Sequence, residues 1–184
     1  LGAGSASQAR QTAEIMVGME EVFLKEKPDY VIVRGDTNST LSAALVASKL
    51  GIPYAHIEAG ERRFNRRMPE EVNRLVVDSL ADQHFCVSRA AVEHLKTEGI
   101  SNGVFQVGDV MLDALLFARP LARAKSNVLQ RLKIHPKKYS LVTIHRPANT
   151  DDPIRLNTIL SSLSQTGETI ILPINLKEYK EEEY

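Results

Sequence analysis

Residues 56–74, HIEAGERRFNRRMPEEVNR, join the end of a predicted strand to the start of a predicted helix. An apolar run over residues 52–57 leads directly into Glu58, and four arginines follow within residues 62–67. The helix is predicted to begin near Pro69, because proline is favoured in the first helical turn. Charged side chains at the end of a buried strand are costly unless they are paired or used in function. We therefore expect this strand–loop–helix unit to carry a functional site and to organise the chain around it.

The same alternation of apolar runs and helical periodicity continues along the rest of the chain. Short, all-apolar strands that alternate with helices are typical of a parallel sheet covered on both faces. The sequence therefore predicts an α/β fold with Rossmann-like parallel sheets and helices on both faces. Predicted strands span residues 30–33, 54–57, 84–87, 104–107, 139–144 and 169–174. Predicted helices span residues 6–26, 41–50, 69–81, 90–98, 111–132 and 151–163.

The alternation is least regular over residues 111–136, a segment that is longer and more basic than a crossover requires. We predict that this segment is a linker helix region, with its helical pattern interrupted near Pro120. It separates a first α/β domain, residues 1–110, from the start of a second, residues 137–184.

The composition excludes several classes of function. Of 184 residues, 43% are hydrophobic and 25% charged, as in ordinary globular proteins. Lysine plus arginine and aspartate plus glutamate both number 23, so the net charge is zero. A neutral chain is not expected to bind nucleic acid or an anionic membrane through bulk electrostatics.

The sequence also indicates in which cellular compartment the protein is located. Cys86 stands alone and cannot form an intrachain disulfide, so it is interpreted as a small buried residue. No apolar run reaches the roughly 20 residues of a membrane span, and no signal peptide is evident. We therefore predict a cytoplasmic location. Because the chain starts at Leu1 without a methionine, we also expect a truncated or processed product.

Ligands of parallel α/β sheets bind beyond the carboxyl ends of the strands. Asp36, Glu58 and His145 all follow predicted strands, with Asp109 a plainer fourth candidate. Asp36 could cap the next helix or direct its carboxylate towards a cleft; standing alone, it leaves the two alternatives open. His56 shares a strand face with Glu58, but no third residue has the spacing of a metal ligand, so no metal site is predicted.

The helix from Pro69 carries further candidates. Helical spacing places Glu70 and Arg74 together on one side and Glu71 at the border of the apolar stripe. Glu70 is a functional carboxylate if that side lines a cleft, and half of a surface pair if it faces water. The arginines of residues 62–67 indicate a diphosphate site or structural pairing with nearby glutamates rather than a nucleic-acid surface. The predicted apolar stripe comprises Val72, Leu75, Val76, Ser79 and Leu80.

Five motifs together resemble one family. RGDTNST, HIEAG, RRMPEEVNR, VGDVMLDAL and TIHR occur in this order between about residues 18 and 173. They are similar to the motifs of the non-hydrolysing UDP-N-acetylglucosamine 2-epimerases. The resemblance implies two Rossmann-like domains arranged as in type B glycosyltransferases, with the active site in the cleft between them. It also implies interconversion of UDP-GlcNAc and UDP-ManNAc by elimination and re-addition of UDP. The implied enzyme is a homodimer without a cofactor.

The resemblance carries family roles onto residues of this chain. It implies catalytic roles for Asp36, Glu58, Glu70 and His145, and substrate-binding roles for Arg74, His56, Arg62 and Arg146.

The chain departs from the family pattern at both ends, where segments of the nucleotide site are missing. Within the chain, Ala148 replaces an acidic residue, Asn175-Leu176 replaces His-Pro, and Glu61 stands where leucine is commoner. We therefore expect little or no turnover from these 184 residues alone. The alternatives are a hydrolysing relative that releases ManNAc and UDP, and a non-catalytic nucleotide-sugar-binding module.

Overall fold

The fold was determined as a computed structural model, which describes Gly2, residues 6–144 and residues 147–173. The first unit, Leu1–Phe117, is built on a parallel four-stranded sheet in the order β1-β2-β3-β4. This parallel α/β architecture confirms the predicted fold class. The strands are β1 (Val31–Arg34), β2 (Tyr54–Ala59), β3 (Gln83–Cys86) and β4 (Val104–Gln106). The helices that begin in this unit are α1 (Gln8–Glu26), α2 (Asn38–Leu50), α3 (Pro69–Leu80), α4 (Arg89–Thr97) and α5 (Val110–Lys125).

Two apolar clusters stabilise the sheet and its helices. The larger one is fully or nearly buried and joins α1, α2 and α3 to β1 and β2; the smaller one packs α4 against the ends of β2 and β3. Alternate side chains on β1 face opposite ways, so Val33 is buried while Ile32 is 65% exposed. The larger cluster contains Phe23, Val33, Ala43, Ala44, Val46, Ala47, Tyr54 and Val77; the smaller contains Ala59, Cys86, Ala91 and Leu95.

The predicted apolar stripe of α3 is wrong. Val72 and Leu80 are 44% and 45% exposed, whereas Val77 is completely buried. The buried face of α3 is largely polar, because the sheet opposite it presents polar groups that need partners. Its buried members are Glu71, Asn73, Val77 and Asp78.

The predicted break near Pro120 is also wrong, since α5 runs through this proline to Lys125. A proline inside a helix removes one backbone hydrogen bond and clashes with the preceding turn. The residues that flank Pro120 include leucines and alanines, which have high helix propensity. The helical pattern ends earlier than predicted, and a short helix α6 (Val128–Arg131) follows.

The second unit, Ala118–Tyr184, contains a two-stranded parallel sheet of β5 (Ser140–Leu141) and β6 (Ile170–Ile171). Both strands occupy predicted positions but are shorter than predicted. The division between the units falls inside the predicted linker, residues 111–136, while the domain limits themselves stay a prediction. The remaining helices are α7 (Pro147–Thr150) and α8 (Pro153–Ser164). No helix in the described part of the chain has the length and apolar character needed to cross a membrane.

Candidate active site

The loop after β1 presents Asp36 to the carboxyl end of the sheet. Asp36 does not cap α2: Thr37 is the N-cap, and its hydroxyl accepts a hydrogen bond from the amide of Thr40 at 3.4 Å. The Asp36 carboxylate instead forms an ion pair with Arg74 of α3. The side-chain amide of Asn73 stabilises the same loop, because its Nδ2 atom donates to the Asp36 carbonyl oxygen at 2.8 Å. Of the two alternatives for Asp36, the structure favours the carboxylate directed away from the helix start.

Glu58 lies at a β-bulge in the last part of β2. The pairing with β3 shifts register between Ile57 and Ala59, and Glu58 has a φ of 71°. A left-handed conformation is strained for a residue with a side chain, and such strain is concentrated at functional sites. The bulge turns the Glu58 carboxylate towards Arg34, whose Nε and Nη2 atoms donate to Oε1 at 2.8 and 2.6 Å.

A buried ionic network underlies both loops. Asp78 of α3 is fully buried and accepts from His56 Nδ1 at 2.6 Å, from Arg62 Nη1 at 2.7 Å and from the Gly60 amide at 3.1 Å. Burial raises the pKa of Asp78, but the hydrogen bond and charge of His56, followed by those of Arg62, outweigh it. The net effect holds the pKa of this carboxyl below its usual range.

The same network ties the end of β1 to β2. His56 is completely buried, and its Nε2 atom lies 2.9 Å from the Gly35 carbonyl oxygen. Both ring nitrogens therefore face hydrogen-bond acceptors, the Asp78 carboxylate and the Gly35 carbonyl oxygen. Arg62 has a side chain that is 1% exposed, and it also donates to both carboxylate oxygens of Glu98. These contacts favour structural roles for His56 and Arg62; their predicted contact with substrate stays a prediction.

Glu71, which was predicted to border the apolar stripe of α3, is a second buried carboxylate. It accepts from the amides of Arg63 and Phe64 at 2.7–3.1 Å and from Arg74 Nη1 at 3.0 Å. Burial raises the pKa of Glu71, but these backbone hydrogen bonds and Arg74 outweigh it and lower the pKa. Glu70 is exposed and does not pair with Arg74 in the structure. The surface pair of Glu70 with Arg74, one of the two alternatives for Glu70, therefore does not form, and the catalytic role of Glu70 stays a prediction.

The neighbouring glutamates of α3 give a matched test of these positions. Glu71→Gln is expected to lower the free energy of unfolding by about 1.5–3 kcal/mol, because a buried charge-assisted acceptor is lost. Glu70→Gln is expected to change it by less than about 0.5 kcal/mol, since that side chain is exposed. Urea titrations followed by circular dichroism measure both values, and equal losses would contradict the assignment of Glu71 to the interior.

A cavity of about 190 Å³ opens beside these groups. It brings together four predicted site residues, and it adds Glu61 and also Arg63, which belongs to the arginine loop interpreted as a diphosphate site or as structural pairing. An adjoining cavity of about 250 Å³ extends past Glu58 and Glu61 to Asp109, the plainer strand-end candidate. The first cavity is lined by Gly35, Asp36, Glu58, Glu61, Arg62, Arg63 and Arg74.

Not every predicted site residue can be placed at these cavities. Glu70 does not line either cavity, and His145 and Arg146 lie outside the described residues. Within residues 6–144 and 147–173, no group of three histidine, cysteine or acidic side chains is arranged to hold a metal ion. Carboxylates and arginines that converge at strand ends are suited to proton transfer on a ligand with anionic groups.

The chain matches the protein-family model described as UDP-N-acetylglucosamine 2-epimerase over residues 1–182. A UDP-N-acetylglucosamine 2-epimerase homolog of Methanococcus maripaludis is 46% identical over 98% of the chain and 51% of its own length. A UDP-2,3-diacetamido-2,3-dideoxy-D-glucuronate 2-epimerase of Pseudomonas aeruginosa is 42% identical over 92% of the chain and 48% of its own length. The chain thus spans about half the length of these curated relatives.

Solved structures agree with the sequence matches. The UDP-GlcNAc 2-epimerase of Methanocaldococcus jannaschii, in complex with UDP-GlcNAc and UDP, superimposes with a TM-score of 0.85 at 38% identity. That match covers 97% of this chain and 52% of the solved one. The enzyme of Neisseria meningitidis bound to UDP-GlcNAc gives a TM-score of 0.80 at 28% identity, over 96% and 50% of the two chains.

Proposed function

Because the chain belongs to the UDP-N-acetylglucosamine 2-epimerase family, we propose that the protein interconverts UDP-GlcNAc and UDP-ManNAc without net hydrolysis. The observation that carries this proposal is the convergence of Asp36 and Glu58 in one arginine-lined cavity at the ends of two adjacent parallel strands. Inversion at C2 needs a proton to leave one face of the sugar and return to the other, and two separately positioned carboxylates suit that requirement.

The proposed reaction has two halves. A carboxylate takes the proton from C2, the C2–H electron pair forms a C1=C2 double bond, and the C1–O bond breaks to release UDP. A proton then returns to the opposite face of C2, and a diphosphate oxygen of UDP rebuilds the bond to C1. Asp36, Glu58 and Glu70 are the proposed proton-transfer residues. Cations stabilise the departing diphosphate, and His145, Arg146 and Arg74 are proposed for this role.

Proton exchange with solvent tests this chemistry. In D₂O, the full-length protein is expected to place deuterium at C2 of both UDP-sugars, observed by NMR as loss of the C2 proton signal. Asp36→Asn and Glu58→Gln are each expected to lower kcat about 10²–10⁴-fold, as loss of a general acid or base does. Glu93→Gln, an exposed carboxylate on α4, serves as the control. Free ManNAc as the product would overturn the non-hydrolysing proposal, and product without deuterium would overturn C2 proton transfer.

A second substrate class is favoured by one relative and one residue. The P. aeruginosa relative is named for a 2,3-diacetamido glucuronate, whose sugar carries a carboxylate. Arg63 lines the cavity with its side chain free of ion pairs among the described residues, which suits an additional anion. Rates with UDP-GlcNAc and with its C6 carboxylate counterpart, compared at equal concentration, distinguish the two substrates.

We further propose that the full protein acts in the cytoplasm as a homodimer, and that these 184 residues alone bind UDP-sugar with little turnover. The fraction of relatives' length that the chain covers supports the last point. Light scattering of the full-length protein tests the dimer, and the NMR assay applied to the 184 residues tests the turnover.

A further inference from the structure

The arginines that line the two cavities differ in whether their guanidinium groups already form ion pairs with carboxylates of the protein. Arg34 is paired with Glu58 at 2.6 Å. Arg62 is paired with Asp78 at 2.7 Å and with Glu98 at 2.6 Å. A guanidinium held by carboxylates can take another anion only by giving up a partner, which costs much of the energy that the new contact supplies.

Arg74 is committed in the same way, to Asp36 and to Glu71. Arg63 is the exception. In the described part of the chain its guanidinium has neither an ion pair nor a hydrogen bond, although the residue lines the cavity beside Asp36. Arg63 therefore provides positive charge that the protein itself does not neutralise.

The backbone beneath this side chain is fixed. The Arg63 amide donates to both carboxylate oxygens of Glu71, at 3.0 and 3.1 Å, and the Phe64 amide donates to one of them at 2.7 Å. The Phe64 ring packs edge-on against His94, with ring centroids 5.1 Å apart, and His94 Nδ1 lies 2.8 Å from the Gly60 carbonyl oxygen. A guanidinium on an anchored backbone loses less freedom on binding than one on a loose loop.

The carboxylates that line the cavity make an unpaired positive charge necessary for binding an anion. Asp36, Glu58 and Glu61 line it, and the first two are neutralised by Arg74 and Arg34, whereas Glu61 has no ion pair among the described residues. An anionic ligand that enters beside Glu61 is repelled unless an uncommitted cation faces it.

We propose that Arg63 is a further residue that binds anionic oxygens of the ligand, through two parallel N–H···O bonds of its guanidinium, beside the residues already proposed for the diphosphate. Those oxygens belong either to the diphosphate or to a sugar carboxylate, which offer the same planar pair of acceptors. The proposal rests on the proposed function, because it assumes that a UDP-sugar occupies this cavity.

The test compares Arg63→Gln with Arg66→Gln in the intact chain. Arg66 is an exposed arginine of the same loop that does not line the cavity, so both variants lose one charge. Calorimetry at one ionic strength measures affinity for UDP-GlcNAc and for its C6 carboxylate counterpart. NMR of the arginine Nε–H signals during titration with inorganic pyrophosphate measures anion binding without the nucleoside. Arg63→Gln is expected to weaken UDP-sugar binding at least about tenfold, and Arg66→Gln less than about twofold.

Each outcome decides a different point. An equal loss for both UDP-sugars assigns Arg63 to the diphosphate, and a loss confined to the uronate assigns it to the carboxylate. If both UDP-sugars bind and Arg63→Gln leaves both affinities unchanged, the inference is overturned but the proposed function is not. A pyrophosphate shift at Arg63 without UDP-sugar binding supports the anion site and contradicts the proposed function. Binding of none of the three ligands overturns both.

Discussion

Asp78→Ala is expected to lower the free energy of unfolding by about 3–5 kcal/mol, the cost of removing one partner from a buried ion pair. The substitution leaves the buried Nδ1 atom of His56 and the buried guanidinium of Arg62 facing an apolar methyl group. It also removes the acceptor of the Gly60 amide, at the turn that follows β2. Urea titration followed by circular dichroism at pH 7 measures the loss.

Glu93→Ala is the matched control, because Glu93 is an exposed carboxylate on the neighbouring helix α4. It is expected to change the free energy of unfolding by less than about 0.5 kcal/mol. If Asp78→Ala costs no more than Glu93→Ala, the network contributes nothing to stability and the structural roles given to His56 and Arg62 are wrong.

The same carboxylate predicts how stability depends on pH. The pKa of Asp78 is lowered in the folded state, so its contribution is complete above the unfolded carboxyl pKa of about 4. That contribution is lost as the pH falls through the folded pKa, because protonation then favours the unfolded chain. Asp78→Asn should therefore show a weaker loss of stability between about pH 5 and the acid range than the wild type does.

Gly60→Ala is expected to lower the free energy of unfolding by about 2–5 kcal/mol, through left-handed strain and overpacking together. Gly60 has a φ of 78°, and an added Cβ would lie 2.3 Å from the Ala91 carbonyl oxygen. The obstacle is the backbone of α4, which cannot rotate aside as a side chain can. Any shift of the turn also strains the Gly60 contacts with Asp78 and His94.

Gly51→Ala separates the two causes. Gly51 has a φ of 68° but open space around the position of a Cβ, so the substitution brings only the left-handed strain of about 1–2 kcal/mol. Both variants are compared by thermal and urea unfolding. A Gly60 variant that is no less stable than the Gly51 variant would mean that the turn and α4 separate easily, contrary to the close approach described above.

The strands of the first unit could be predicted to within two residues because each is a short apolar run. The strand-end positions of Asp36 and Glu58 followed from the same pattern, since parallel strands deliver their carboxyl ends to one edge. The bulge at Glu58 left no signal, because register depends on the partner strand rather than on local composition.

The face of α3 was predicted wrongly for a physical reason. Hydrophobic periodicity identifies buried faces only where burial is apolar, and here β2 and β3 present His56 and His84 to the helix. Glu71, Arg74 and Asp78 recur at intervals of three and four residues and form one polar stripe on α3. Histidines at inward positions of apolar strands require partners, and that requirement could have identified Asp78.

The buried thiol of Cys86 allows the opening of the packing between α4 and the sheet to be measured as a rate. This is the only cysteine of the sequence, it is completely buried beside Ala91 and Leu95, and burial raises its pKa to about 11. Alkylation therefore requires both that the core opens and that the thiol ionises. The labelling rate, divided by that of a free thiol, gives the population of the opened state without any added dye or tag.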